Sequence, residues 1–177
     1  LDAKLYNLFN NEKFGEVSQM FQLMEEKNIP FSPYAYRIKL SQIQCPNIAD
    51  DIFKEMFSKN VDFDKYIYRQ FTKIYSLSEN YSKVLDIYAH SKEKNVHLLS
   101  SSYDDVIKAS YYQNRNMIPQ IWNEMRLYGI KPHPVAITYW ISYLLDQERI
   151  QEAIECSEQL SSFKIGKDLF RKVIQLF

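Results

Sequence analysis

The chain has 177 residues, and its 22 lysines and arginines are balanced by 22 aspartates and glutamates, so it is neither a strongly basic nucleic-acid-binding domain nor an acidic tail. Three glycines and six prolines are too few for a strand-rich fold of many tight turns, or for a disordered chain. No apolar run reaches the roughly 18 residues that a membrane span needs, whereas 14 tyrosines and 11 phenylalanines can supply a packed interior.

The first residues, LDAKLYNLF, carry neither a basic leader nor a cleavage site, so no targeting peptide is expected in this chain. Beyond them one short pattern recurs: a bulky aromatic, Met three residues later, Asn or Gly four further on, then Ile or Val. It reads Phe21, Met24, Asn28, Ile29, then Phe53, Met56, Asn60, Val61. A third copy has Tyr88, Ser91, Asn95, Val96, and a fourth has Trp122, Met125, Gly129, Ile130. The last is degenerate, with Ser157, Leu160, Lys164, Ile165. The steps between copies are 32, 35, 34 and 35 residues. The aromatic and the Met share one helix face. The Asn or Gly tolerates the left-handed backbone that ends a helix, and the following Ile or Val folds back on the last turn. Lys164 predicts a weaker stop.

A second anchor recurs upstream, at Tyr36, Tyr68, Tyr103 and Ile137, each followed by apolar residues at helical spacing. Each unit therefore holds two helices of about a dozen residues, separated by the short polar breaks NNEKFGE, CPN, SEN, QNRN and DQER. Such a pair cannot bury its apolar face alone, so neighbouring pairs must stack. The predicted fold is all-α: a right-handed α-solenoid of stacked helix-turn-helix repeats of about 35 residues. First helices line one side and second helices the other. The units are 33–64, 65–99, 100–133 and 134–168, with most of an earlier unit at 1–32 and the start of another at 169–177. The chain ends on the apolar run VIQLF, so a longer natural array is expected. The unit at 33–64 is short, with Pro46 at its helix–helix junction.

The stretch from Pro134 to Asp168 resembles a pentatricopeptide repeat along its whole length, and WNEMRLYGIKPH, from Trp122 to His133, carries that family's usual repeat ending. The related tetratricopeptide repeat prefers small residues at places that here hold large ones. The resemblance covers essentially the whole chain. It implies binding of single-stranded RNA at about one base per repeat, using two side chains per unit: the residue after the tyrosine-like anchor, and the last residue of the unit. Carried onto this chain, the pairs are Asp2 with Ser32, Arg37 with Asp64, Arg69 with Leu99, Asp104 with His133, and Thr138 with Asp168. Only Thr138 with Asp168 matches a combination the family uses regularly, one that favours guanine. Leu99 cannot hydrogen-bond, and Arg37 and Arg69 suit phosphate or stacking better than base reading. The resemblance also implies that the residue three before each reader packs against a base. That place holds Tyr34, Tyr66, Ser101 and Val135, and the two tyrosines can equally pack between units.

The first helices, with Lys4, Arg37, Lys39, Lys65, Arg69, Lys73, Lys108 and Arg115, are mildly positive, and the second helices are acidic. That bias, strongest at Arg37, Arg69 and Lys73, would favour backbone phosphates on the inner face. His90, His97 and His133 are expected to be surface or capping residues, and Cys45 and Cys156 free or buried thiols. No catalytic, metal or cofactor motif is present in the sequence, so a non-enzymatic protein is expected. The resemblance points to mitochondrial matrix RNA and to transcript stability, processing or translation. The rival expectation is a protein-binding scaffold, such as a mitoribosome-associated or other assembly subunit.

Overall fold

A computed structural model describes residues 1–161. Ten α-helices follow one another with short turns, and among the described residues there is no strand. The first helices of successive units are α1 (Asp2–Asn10), α3 (Pro33–Ser41), α5 (Lys65–Leu77), α7 (Ser100–Gln113) and α9 (Pro134–Asp146). The second helices are α2 (Phe14–Glu26), α4 (Pro46–Ser58), α6 (Tyr81–Glu93), α8 (Ile118–Leu127) and α10 (Ile150–Ser161). A single 3-10 turn, Arg115–Met117, leads into α8. The short second unit has a local cause. Its first helix, α3, has 9 residues where α5 has 13.

The predicted terminators do the expected work. Asn28, Asn60, Asn95 and Gly129 have φ of 51°, 50°, 53° and 63°. After each, the amide of Ile29, Val61, Val96 or Ile130 donates back to the carbonyl of Met24, Met56, Ser91 or Met125 at 2.8–3.0 Å. This is the paired carbonyl capping of a Schellman stop. The sequence reading missed a second set of such stops. Glu12, Glu79 and Glu148 are also left-handed, with φ of 57°, 56° and 58°, and they end α1, α5 and α9. Glutamate has no preference for that region, so local sequence held no signal.

The anchors Tyr36, Tyr68 and Tyr103 are fully buried, Ile137 nearly so, and Met24, Met56, Ser91 and Met125 join them in the core. Successive first helices pack on one another from α1 to α9; α1, α5, α7 and α9 hold their own second helices, and α4 packs on α5 of the next unit. Aromatic contacts cross the unit boundaries. Phe53 of the second unit meets Phe71 of the third edge-on at 5.4 Å. Trp122 stacks on Trp140 of the next unit at 4.9 Å. Buried residues from Leu5 to Ala136 thus form one core that runs through the unit boundaries, as stacked repeats require.

The anchor tyrosines also carry a polar handle. The Tyr36 hydroxyl donates to Glu55 Oε1 (2.8 Å), Tyr68 lies 3.0 Å from His90 Nδ1, and Tyr103 donates to Glu124 Oε1 (2.6 Å). Glu55, His90 and Glu124 occupy one repeat position, two residues after the second-helix aromatic. His90 therefore corrects the expectation of a surface or capping histidine. It lies within α6 and packs edge-on against Phe53 and Phe63 at 5.2 and 5.0 Å. Burial, then Lys94, hold its pKa below the ordinary value. Cys45 and Cys156 are free, Cys45 at the surface.

Candidate nucleic-acid interface

The anchors Tyr36, Tyr68, Tyr103 and Ile137 point into the core, so the next residue, rotated by about 100°, projects beside it along the row of first helices. Arg37, Arg69, Asp104 and Thr138 take this place, whereas Asp2 follows the exposed Leu1. The proposed partner residues have a structural identity that the sequence did not disclose. Ser32, Asp64, Leu99 and His133 are each the N-cap residue of the following first helix. Ser32 accepts the amide of Ala35 (3.1 Å), and Asp64 accepts those of Tyr66 (2.9 Å) and Ile67 (2.8 Å).

Two pairs meet directly. Ser32 Oγ donates to Asp2 Oδ1 at 2.7 Å. His133 Nδ1 lies 2.7 Å from Asp104 Oδ2, while Asp104 Oδ1 is buried with no partner. The second pair is arranged differently. Asp64 is committed to its cap, and the Arg37 guanidinium lies between two rings, 4.7 Å from Tyr34 and 5.0 Å from Tyr66. Tyr34 and Tyr66 thus flank a cation at the boundary of adjacent units, and Tyr66 remains well exposed. In the third pair Arg69 turns away from half-buried Leu99 and binds Asp105 of the next first helix at 2.5 Å. Burial raises the Asp105 carboxyl above the usual range, against the opposing pull of Ser76 and Arg69. Thr138 donates to the Pro134 carbonyl within its own helix (2.8 Å), and Val135 is exposed. Asp168 lies outside the described residues, as do Lys164 and the unit start at 169–177.

The charge of this face differs from the simple count. Arg69 is neutralised by Asp105, Lys39 reaches back to Glu25 of α2 (2.8 Å), and Arg115 binds Asp146 (2.5 Å). Lys4, Arg37, Lys65, Lys73 and Lys108 have no ion-pair partner among the described residues. Lys73 is exposed, and Lys108 is half-buried with its ammonium 5.5 Å from the Tyr81 ring. A pocket of about 490 Å³ between the turns that end the second and third units is lined by Phe57, Phe63, Lys94 and neighbours, and holds none of the reader residues. Among the described residues no three His, Cys, Asp or Glu side chains converge as a metal site would require, and no helix is long and apolar enough to cross a membrane.

The arrangement has counterparts among solved structures. The PPR domain of Arabidopsis thaliana protein-only RNase P 1, in complex with tRNA, matches with a TM-score of 0.76 at 12% identity, over 98% of this chain and 95% of that one. The fold is that of a pentatricopeptide-repeat array. Nuclear proteinaceous RNase P 2 from A. thaliana matches at 0.71 and 11% identity, over 97% of this chain but 40% of that one. The pentatricopeptide repeat protein PPR10, in complex with an 18-nt psaJ RNA element, matches at 0.58 and 15% identity, over 92% of this chain and 27% of that one. No family model matches the sequence, and no curated protein is similar to it.

Proposed function

We propose that the inner face of this array binds single-stranded RNA. The observation that carries the reading is the row of reader residues and N-cap residues at two repeat positions, joined in the Asp2–Ser32 and Asp104–His133 pairs. Lys4, Lys65, Lys73 and Lys108 flank that row, have no ion-pair partner among the described residues, and can neutralise phosphates. Two of the solved structures with this fold hold RNA. The chain's role is to hold the strand rather than to cut it. In keeping with the sequence resemblance, the RNA is a mitochondrial transcript whose stability, processing or translation the bound protein controls in the matrix.

The test is binding of single-stranded RNA, against duplex of the same sequence, across a salt series. The expected result is a preference for the single strand, with the logarithm of affinity falling by about 0.7 per phosphate contact for each tenfold rise in salt. Thr138→Ala with Asp168→Ala should then remove a guanine preference. Absence of binding at low salt would overturn the reading and favour a scaffold that holds a protein, such as a mitoribosome or assembly partner.

A further inference from the structure

The helix side that carries Asp104 continues along α7 through Lys108 to Tyr112 at intervals of four residues, drifting by about 40° per step. At its far end lies a cluster of tyrosines that the reader pairs do not use. Tyr112 stacks on Tyr81 of the preceding unit with ring centroids 4.8 Å apart and planes within 10°. Tyr139 of the next unit closes edge-on against Tyr112 at 6.0 Å, and Tyr111 lies 5.4 Å from Tyr139. Three successive units thus contribute rings to one site. Tyr81 and Tyr139 pack against the core, but Tyr112 stays 56% exposed, so the stack opens to solvent at Tyr112.

Cations border the cluster. Lys108 stands over Tyr81 at 5.5 Å, and the Arg115 guanidinium covers Tyr111 at 4.1 Å. The acidic groups there are Asp146, already bonded to Arg115, and Glu79 in the turn before Tyr81. Lys73 occupies on α5 the repeat position that Lys108 has on α7, without an ion-pair partner among the described residues. A ring stack open at Tyr112 and edged by Lys108, which has no ion-pair partner among the described residues, matches the chemistry of an unpaired nucleobase and its phosphate. A protein partner held by apolar contact would not need those cations.

We propose that Tyr81, Tyr112 and Tyr139 form a base-stacking site for single-stranded RNA, separate from the reader row, in which Tyr112 stacks on the base and Lys108 meets its phosphate. This rests on the RNA-binding reading of the inner face. Every base has a flat face, so the site should be indifferent to sequence and anchor the strand beside the row.

The experiment compares an oligouridine strand bound to the whole chain with the same strand bound to Tyr112→Ala, Tyr112→Phe and Arg37→Ala, together with 4-thiouridine crosslinking and peptide mapping. Tyr112→Ala should weaken binding by roughly 5- to 150-fold, and Tyr112→Phe should retain it. Crosslinks should map to the peptide containing Tyr112, with unchanged melting of the variants. Wild-type binding unchanged in Tyr112→Ala, or lost alike in Tyr112→Phe, would sink the stacking site while leaving the RNA-binding reading intact. Absence of wild-type binding would sink both.

Discussion

The Tyr103 hydroxyl donates to the Glu124 carboxylate at 2.6 Å, in a place closed to solvent between the first and second helices of the fourth unit. Tyr88 of the preceding unit donates to the other oxygen (2.7 Å), and Lys92 completes the set at 2.7 Å. One carboxylate thereby ties two units together. Burial pushes its pKa up, but Lys92 and the two phenols outweigh that and hold it below the ordinary carboxylate range. Replacing Glu124 with Ala should leave two buried phenols without partners and cost about 2–4 kcal/mol, with Glu124→Gln costing less. Denaturant unfolding measures both. A depressed folded pKa means that the contribution is full above the unfolded value of about 4.3 and is lost as pH falls through the folded one. The acid-side loss of stability should therefore shrink in Glu124→Gln.

His90 sets a different window. Its folded pKa is lowered, so the unfolded chain binds its proton first. Stability is complete above about pH 6.5 and declines as pH falls from there through the depressed value. His90→Phe, which suits the surrounding rings, should flatten the melting temperature between neutral and mildly acidic pH. An unchanged slope would show that other groups set it.

The left-handed glutamates are positions where the backbone is held at a cost. Glu79→Gly and Glu148→Gly should each stabilise the array by about 0.5–1 kcal/mol, seen as a higher melting temperature. Asn95→Val should do the reverse by about 1 kcal/mol, because a β-branched residue tolerates that region poorly.

Asp105 restrains Arg69. The buried carboxyl is raised rather than lowered by its surroundings, so the ion pair contributes little net stability. Asp105→Asn leaves the Arg69 guanidinium without its charged partner, so it should cost about 1–3 kcal/mol and release Arg69. If the inner face binds RNA, affinity at low salt should rise and its salt dependence steepen. Unchanged affinity would place Arg69 off the RNA path.

Much of the fold was legible because the repeat carries its own punctuation. Asn28, Asn60, Asn95 and Gly129 marked each second-helix end, and the buried Tyr36, Tyr68 and Tyr103 marked the first helices. The stops at Glu12, Glu79 and Glu148 were not legible, because glutamate there is imposed by the packing of two helices rather than chosen for its backbone. The site was read less completely. The family resemblance paired Asp2 with Ser32 and Asp104 with His133, which do meet, but charge counting could not foresee that Asp105 and Asp146 would reach across helices to Arg69 and Arg115. A signal was available for the buried network and went unread: Glu55, His90 and Glu124 fall at one repeat position in the three units whose anchor is tyrosine.

The cap positions at Ser32 and Asp64 bind two properties that a modular array would otherwise keep apart. Each side chain belongs to the proposed reader row and also begins the helix of its neighbour. Exchanging Ser32 or Asp64 for a residue that cannot accept an amide would cost about 1 kcal/mol at the boundary. The vocabulary open to the inner face is therefore narrowed by the grammar of helix initiation. The Leu99 and His133 boundaries, already without a side-chain cap, are where it can be rewritten more freely.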